Sequence, residues 1–332
     1  MLSRGISTFS CVERIQEYIQ NKAFEGELHR SKDAEVMKFT SGRIHIKQIN
    51  VRYRQGLPLV LKNLDFEIEQ NQKIGIIGRT GSGKSTLLLT LMRILELSRD
   101  DSGGDKGVIE IDGVDISKVG LYLLRRNLVV IPQDPYLLDG SLRHNIDPTS
   151  EYSDKDVILA LDKVEFWSTL KVDHHEDSSP NKERSLVVTT RHEPKKNLKM
   201  FIEKNGDNLS QGQRQLICIA RALVQRPKIL LMDEATSSLD HRTNDIIQKV
   251  VKYHLNDTTV LTIAHRLMTI IQYDKLIVLQ NGVKVEEGSP IELINKKGYF
   301  WSLVSEGEDD FVEKMMYLAQ NKDKDMDSMN QS

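Results

Sequence analysis

One nine-residue run combines the residue types and the spacing that could act most directly on phosphate groups. It fits the pattern Gly-x-x-x-x-Gly-Lys-Ser/Thr, in which glycines let backbone N–H groups converge on phosphate oxygens. Lys84 would reach the β- and γ-phosphates of a nucleotide, and the Ser85 hydroxyl would bind Mg²⁺. A simple glycine turn would leave the lysine directly after Gly83 unexplained. We therefore predict a phosphate loop that consists of Gly78, Arg79, Thr80, Gly81, Ser82, Gly83, Lys84, Ser85 and Thr86.

The segments on both sides of the phosphate loop have the patterns of a strand and a helix. Residues 73–77 are a short apolar run rich in β-branched residues, which predicts a buried strand. Residues 86–95 are rich in leucine and long enough to form a helix. The loop would then lie at a helix N-terminus, where the helix dipole adds positive potential.

Other polar and aromatic residues stand close to the ends of further predicted strands. Tyr53 ends a strand-like segment, and its ring could stack on adenine. Asp233 and Glu234 follow the apolar run 228–232, and His265 follows the next apolar run. Open α/β sheets bind ligands at the carboxyl ends of their strands, so these side chains are expected at the nucleotide. There Asp233 would hold Mg²⁺, and the imidazole of His265 could reach the γ-phosphate or orient a water molecule.

A second anion site is predicted at the start of a helix with the sequence LSQGQRQLICIARAL. Ser210 is a good N-cap for this helix, and the backbone N–H of Gly212 would face an anion there. One chain does not readily bring two such anion sites to the same phosphate group.

Three patterns predict the sheets around these sites. Residues 228–232 and 259–263 are continuous apolar runs, which are typical of central parallel strands. Residues 44–53, with one slip, and residues 64–69 alternate between apolar and polar side chains, which indicates an antiparallel sheet with one wet face. The dipeptide Asn281-Gly282 joins two strand-like runs and predicts a hairpin.

The order of these motifs, with Gln133 in the segment IPQDP, resembles the nucleotide-binding domain of ATP-binding cassette (ABC) transporters. Residues 113–148 resemble subfamily C, the multidrug-resistance-associated group. The segment VERIQEYI at 12–19 is similar to the stretch that joins the last membrane helix to the second such domain. Glu234 also favours the second domain, because the first often carries Asp at that place. The resemblance covers roughly residues 10–304.

The resemblance implies that two such domains pair head to tail and bind ATP with Mg²⁺ between them. Glu234 would be the general base toward the attacking water. The catalytic residues would be Glu234, His265 and Lys84, with nucleotide contacts from Tyr53 and the phosphate loop and Mg²⁺ contacts from Ser85, Gln133 and Asp233. Contacts to the ATP of the opposite domain would come from Ser210, Gly212, Gln213 and Asp240. Gln211 departs from the glycine that is usual in the wider family, which subfamily C tolerates.

We expect an α/β fold with a P-loop NTPase core of the RecA-like type, an antiparallel β subdomain and an inserted α-helical subdomain. The nucleotide-binding domain would span residues 41–305, with the helical subdomain at about 134–206. Residues 171–205 are dense in charge and are predicted to be a solvated insertion. Residues 1–40 are predicted to be an amphipathic helix and linker after a transmembrane domain that this chain lacks, although the helix could instead pack on its own domain. Residues 306–332 are predicted to be an acidic, disordered tail.

Composition narrows the class of protein further. The 332 residues carry a formal charge of −2 with acids and bases interspersed, so no general affinity for nucleic acid is expected. Cys11 and Cys218 do not make a disulfide framework, which favours a reducing cytosolic compartment. The sequence shows neither a signal-peptide pattern nor the ~18 apolar residues that a membrane span needs. The His-His-Glu-Asp cluster at 174–177 could suggest a metal site, but no second set of ligands is evident and a solvated loop is favoured.

These patterns predict the ATPase motor of an ABC exporter, located at the cytoplasmic face of a membrane. Its partners would be a second nucleotide-binding domain, in a homodimer or heterodimer, and the transmembrane domains of the transporter. An alternative from another class is a regulatory nucleotide-binding module that gates a channel or receptor of the same subfamily. A soluble ABC ATPase of translation or DNA repair is disfavoured, because neither paired cassettes nor long coiled coils are present. The lack of an Asn-Lys-x-Asp motif argues against a GTPase.

Overall fold

A computed structural model describes most of the predicted nucleotide-binding domain. The described residues are 27–29, 39–99, 103–104, 106–172, 197–233, 239–264 and 267–305. The predicted N-terminal helix, most of the charged insertion and the predicted acidic tail lie outside these residues, as do Glu234 and His265.

A six-stranded sheet carries the phosphate loop. Its strands lie in the order β12-β11-β3-β10-β9-β6, and all neighbours are parallel except the antiparallel pair β11 and β12. Runs that are apolar throughout form β9 and β10 in the middle of this sheet, so the prediction of central parallel strands is confirmed. The strands are β3 (Lys73–Ile77), β6 (Leu128–Ile131), β9 (Ile229–Asp233), β10 (Thr259–Ile263), β11 (Lys275–Gln280) and β12 (Val283–Gly288).

A second, antiparallel sheet has the strand order β2-β1-β4-β5. The predicted slip within the first segment is a pair of register shifts on one strand, between Ile46 and Ile49 and between Ile49 and Val51. The predicted antiparallel sheet is therefore confirmed. Its strands are β1 (Ile44–Val51), β2 (Leu61–Ile68), β4 (Val108–Ile111) and β5 (Val114–Asp115).

Helix α1 spans Lys84–Leu91 and begins within the phosphate loop, so the prediction of a helix over 86–95 is wrong at both ends. Arg93 adopts a left-handed φ of 51°, which ends the helix. Its buried guanidinium donates hydrogen bonds to the carbonyl oxygens of Ile116 and Val119, at 3.0 and 2.8 Å. These contacts with a distant part of the chain stabilise the turn that replaces the last predicted turn of helix.

Helices follow one another between β5 and β9, a stretch that extends beyond the predicted helical subdomain of about 134–206 at both ends. They are α2 (Leu121–Asn127), α3 (Leu142–Ile146), α4 (Asp154–Lys163) and α5 (Phe166–Val172), followed by the long α6 (Gln211–Gln225). Within the predicted solvated insertion, the described residues include the end of α5 and a short strand β8 (Phe201–Ile202), which pairs with β7 (Gly140–Ser141). Ile202 is fully buried, so this part of the insertion is not a solvated loop. Of the predicted linker, residues 27–29 and 39–40 are described. The carbonyl of Leu28 accepts a hydrogen bond from Tyr122 N–H in α2, and Phe39 is buried.

The six-stranded sheet separates two apolar cores. Alternate residues of its strands point to opposite faces, so that Leu230 belongs to one core and Leu231 to the other. The first core also receives α6 and the remaining helices α7 (His241–Tyr253), α8 (Pro290–Lys296) and α9 (Tyr299–Ser305). The second core fills the space between the two sheets. Among the described residues, no helix has both the length and the apolar character to cross a membrane.

Candidate nucleotide-binding site

The phosphate loop connects the end of β3 to the start of α1 and packs too tightly for side chains at Gly78 and Gly83. A Cβ atom on Gly78 would lie 2.2 Å from the carbonyl oxygen of Leu279 and 2.5 Å from Oγ of Ser82. Gly83 has a φ of 100°, and a Cβ atom there would lie 2.6 Å from Leu61. The backbone at Gly78 and Gly83 is thus held close to its neighbours, which suits a phosphate cradle.

Lys84 is the first residue of α1 and is only 6% exposed. Its ammonium donates hydrogen bonds to the carbonyl oxygens of Gly78 and Arg79, at 2.8 and 3.2 Å. The side chain therefore lies across the loop, with its ammonium group beside the first two residues of the loop. A phosphate group in the loop would meet this charge directly.

A cavity of about 310 Å³ opens at the loop and brings the predicted aromatic residue to the same place. Tyr53 is half exposed, and its hydroxyl lies 3.1 Å from Oγ1 of Thr86. The cavity thus offers an ammonium group and a glycine backbone beside an aromatic ring, which fits a nucleotide with its phosphates and base. The cavity is lined by Tyr53, Val60, Thr80, Gly81, Gly83, Lys84, Ser85 and Thr86.

The predicted Mg²⁺ contacts stand at the same edge of the sheet as the loop. Asp233 is the last residue of β9, and Gln133 follows the end of β6 by two residues. Because β3, β10, β9 and β6 are parallel neighbours, their carboxyl ends share one edge. Together with Ser85 they supply carboxylate, amide and hydroxyl oxygens, the ligand types that Mg²⁺ prefers. Glu234 follows β9 directly and His265 follows the end of β10 by two residues, but both lie outside the described residues.

The start of α6 has the predicted N-cap. Ser210 Oγ accepts a hydrogen bond from the backbone N–H of Gln213 at 3.2 Å, and Oε1 of Gln213 accepts one from the backbone N–H of Ser210 at 2.9 Å. This reciprocal pair is a capping box. Both side chains are therefore held in place at the helix N-terminus before any ligand arrives.

Asp240 caps α7 and lies next to this helix start. Its carboxylate accepts hydrogen bonds from the backbone N–H and the hydroxyl of Thr243, at 3.0 and 2.7 Å. The bond from the backbone N–H of Thr243 is the main reason that the pKa of Asp240 is lowered. A Cβ atom on Gly212 would lie 2.8 Å from the Thr243 hydroxyl, so the starts of α6 and α7 are in contact. The sequence analysis missed Thr243, although the Asp-x-x-Thr spacing of an N-cap was visible.

The site residues thus form two groups within the described part of the chain. The cavity at the phosphate loop has no lining residue from the group formed by Ser210, Gly212, Gln213 and Asp240. The latter group is held together by its own contacts. Gln133 and Asp233 are not among the lining residues of the cavity either, and the contact of the second group with a nucleotide of another domain stays a prediction.

Comparison with known families identifies the class of protein that this fold and site define. The family model described as "ABC transporter" matches residues 61–237, more than half of the chain. The chain belongs to the ABC transporter family.

Similar proteins of known function are much longer than this chain. ATP-binding cassette sub-family C member 3 of Rattus norvegicus is 40% identical over 300 residues, which cover 90% of this chain and 18% of that protein. The ABC transporter ATP-binding protein/permease VMR1 of Saccharomyces cerevisiae is 40% identical over 313 residues, or 91% of this chain and 19% of that protein. The chain therefore spans about a fifth of the length of these relatives.

A solved structure shares the fold. The structure of a bacterial Atm1-family ABC exporter with ATP bound matches with a TM-score of 0.67 and 28% sequence identity. The match covers 81% of this chain and 43% of that chain. It supports the α/β fold with a phosphate-loop core, an antiparallel sheet and added helices.

Proposed function

We propose that this domain hydrolyses ATP and thereby drives export across a membrane by a subfamily C transporter. The observation that supports this most strongly is the single cavity in which Tyr53, Lys84 and the glycine loop meet. The cavity provides recognition of both a base and a triphosphate. The family membership supplies the reaction, which is ATP hydrolysis.

Each residue of this chain has a separate task in the proposed reaction. The loop amides and Lys84 bind the phosphates and offset their negative charge. Ser85, Gln133 and Asp233 would hold Mg²⁺, and the ion would supply positive charge against the phosphate oxygens. Glu234 accepts a proton from the attacking water, and His265 orients that water against the γ-phosphate. Catalysis by these residues rests on position and charge rather than on a covalent intermediate.

A second nucleotide-binding domain completes the site. Ser210, Gly212, Gln213 and Asp240 lie outside the cavity of their own chain, and a helix N-terminus favours an anion. In a head-to-tail pair, these residues contact the ATP that the other domain holds. Binding of two ATP molecules closes the pair and hydrolysis reopens it.

A groove beside Gln133 supports coupling to a membrane domain. It measures about 350 Å³ and is lined in part by Pro132, Tyr136 and Arg221, with Tyr136 61% exposed. The guanidinium of Arg221 in α6 donates hydrogen bonds to the carbonyl oxygens of Tyr136, at 3.0 Å, and Asn145. The groove therefore joins the helix that begins at Ser210 to the segment after Gln133. We infer that the transmembrane domains bind at this groove, so that they would move when the groove moves.

The substitution Glu234→Gln tests the proposed reaction. The amide keeps the size of the side chain and cannot accept the proton from water, so ATP binding stays intact while hydrolysis is lost and a closed dimer accumulates. Nucleotide binding, phosphate release and size-exclusion chromatography with ATP measure the three effects. Hydrolysis by the variant at the parental rate would contradict the role of Glu234. Tight binding without turnover by the parent would favour the gating module.

A further inference from the structure

The turn between β11 and β12 contacts the phosphate loop from outside the nucleotide cavity. The backbone N–H of Gly282 donates a hydrogen bond to the carbonyl oxygen of Ser82 at 3.1 Å. The carbonyl oxygen of Gly282 accepts one from the backbone N–H of Lys62 in β2, at 2.9 Å. One residue of the turn is thus bonded both to the phosphate loop and to the antiparallel sheet.

No side chain fits at Gly282. Its φ is 82°, and a Cβ atom would lie 1.9 Å from the carbonyl oxygen of Val60. Val60 and Gly83 both line the nucleotide cavity, and a Cβ atom on Gly83 would lie 3.4 Å from the same carbonyl oxygen. The turn therefore packs where two lining residues of the cavity, Val60 and Gly83, come together.

The strand before the turn continues this contact along the loop. β11 runs parallel to β3, and Val278 pairs with Ile77, the last residue before the loop. The next residue, Leu279, holds its carbonyl oxygen so close to Gly78 that no Cβ atom fits between them. The loop is thus supported at its start by β11 and near its middle by the turn.

We propose that Gly282 is a positioning residue for nucleotide binding. Through its two hydrogen bonds and its contact with Val60, the turn sets the distance between the cavity wall and the phosphate loop. Gly282 itself does not line the cavity. This inference rests on the proposed ATP-binding function of the same cavity.

The substitution Gly282→Ala tests the proposal, and Gly113→Ala is its matched control. Gly113 follows Asp112 in the turn between β4 and β5, with a φ of 78°, and a Cβ atom there would meet no described atom within 4 Å. Both variants carry the same strain of alanine at positive φ, but only one disturbs the cavity. We expect Gly282→Ala to weaken ATP binding at least about tenfold and to raise KM with kcat nearly unchanged. Gly113→Ala should bind ATP like the parent.

Hydrogen exchange in the parent gives a second measurement that does not depend on the variant folding. Addition of ATP should slow amide exchange in a peptide that covers residues 279–284 as well as in the phosphate loop. A peptide that covers residues 110–115 should exchange as before. Protection confined to the phosphate loop would overturn the proposal.

The possible failures are distinguishable. If the parent binds ATP and Gly282→Ala binds it equally well, the positioning role is wrong and the proposed function stands. Equal losses of affinity in Gly282→Ala and Gly113→Ala would also overturn the positioning role, because the effect would then be one of general stability. If the parent itself binds no ATP, the proposed function is wrong and this inference is wrong with it.

Discussion

Two lysines lie toward opposite ends of β3, and the ammonium group of each donates hydrogen bonds to backbone carbonyl oxygens. Lys84 lies beyond the carboxyl end of the strand and donates to loop carbonyl oxygens. Lys73 begins the strand and donates to the carbonyl oxygens of Asn71, Leu255 and Thr258, at 2.9, 2.8 and 2.7 Å. Burial lowers the pKa of Lys73 to about 8, with Asp274 and Asp257 opposing the shift. Only the first of the two faces the nucleotide cavity.

The two lysines therefore form a matched pair of substitutions. Lys84→Met removes the charge that meets the phosphates, and we expect ATP affinity to fall about a hundredfold, since hydrogen bonds to charged groups are worth about 1.5–3 kcal/mol. Lys73→Met removes a donor from three carbonyl oxygens, of which that of Leu255 keeps a bond from the N–H of Thr258, and we expect a loss of about 1–3 kcal/mol in stability with ATP affinity unchanged. Calorimetric titration and urea unfolding measure the two effects. If Lys73→Met lost ATP affinity and Lys84→Met did not, the proposed position of the phosphate groups beside Lys84 would be wrong.

The residues that sequence analysis identified are those whose partners are local or share a motif. The capping pair of Ser210 and Gln213 lies three residues apart, and the phosphate loop is continuous. The contact of Gly282 with Val60 joins residues more than 200 positions apart, which no local pattern shows. The predicted end of α1 was wrong for the same reason. Arg93, which lies just after the helix, is held by carbonyl groups of a segment more than 20 residues further along the chain.

At the scale of elements, the end of α3 depends on one buried carboxylate. Asp147 accepts hydrogen bonds from the guanidinium of Arg143 and from the backbone N–H of Tyr152, each at 2.9 Å. Burial acts to raise the pKa of Asp147, but the Tyr152 amide, Arg143 and the Glu151 amide outweigh burial, and the pKa is lowered. The carboxylate thus joins α3 to the loop that leads into α4.

The ionised form of Asp147 should therefore stabilise the fold in a pH-dependent way. Because its pKa is lower in the folded chain, the stabilisation is present above the usual carboxyl range and is lost as pH falls through the folded pKa. We expect Asp147→Asn to cost about 2 kcal/mol at pH 7 and progressively less in acid. Urea unfolding at pH 7 and at about pH 2, below the usual carboxyl range, measures the difference.

Asp154→Asn is the control for this substitution. Asp154 contacts the same guanidinium at 2.7 Å, but its side chain is 72% exposed. An exposed ion pair contributes about 0–1 kcal/mol, so this variant should stay close to the parent at both pH values. Equal losses from both substitutions would show that Arg143, rather than the buried carboxylate, carries the effect.

At the scale of the whole molecule, the central strands belong to both apolar cores. Leu230 and Leu231 are fully buried on opposite faces of β9. We expect Leu230→Ala and Leu231→Ala each to cost about 2–5 kcal/mol and to shift one common unfolding transition. Scanning calorimetry of both variants checks this. Two transitions that respond separately would show that the cores unfold as independent units.

The pairing of β9 with β10 aligns Leu230 with Val260, Leu231 with Leu261 and Asp233 with Ile263. A slip of one residue would send every side chain of β9 into the wrong layer and displace the acidic end of the strand by about 3.3 Å. A shift in the register of this strand pair would therefore destabilise the fold. The register of β9 against β10 therefore determines both the packing of the two cores and the position of Asp233.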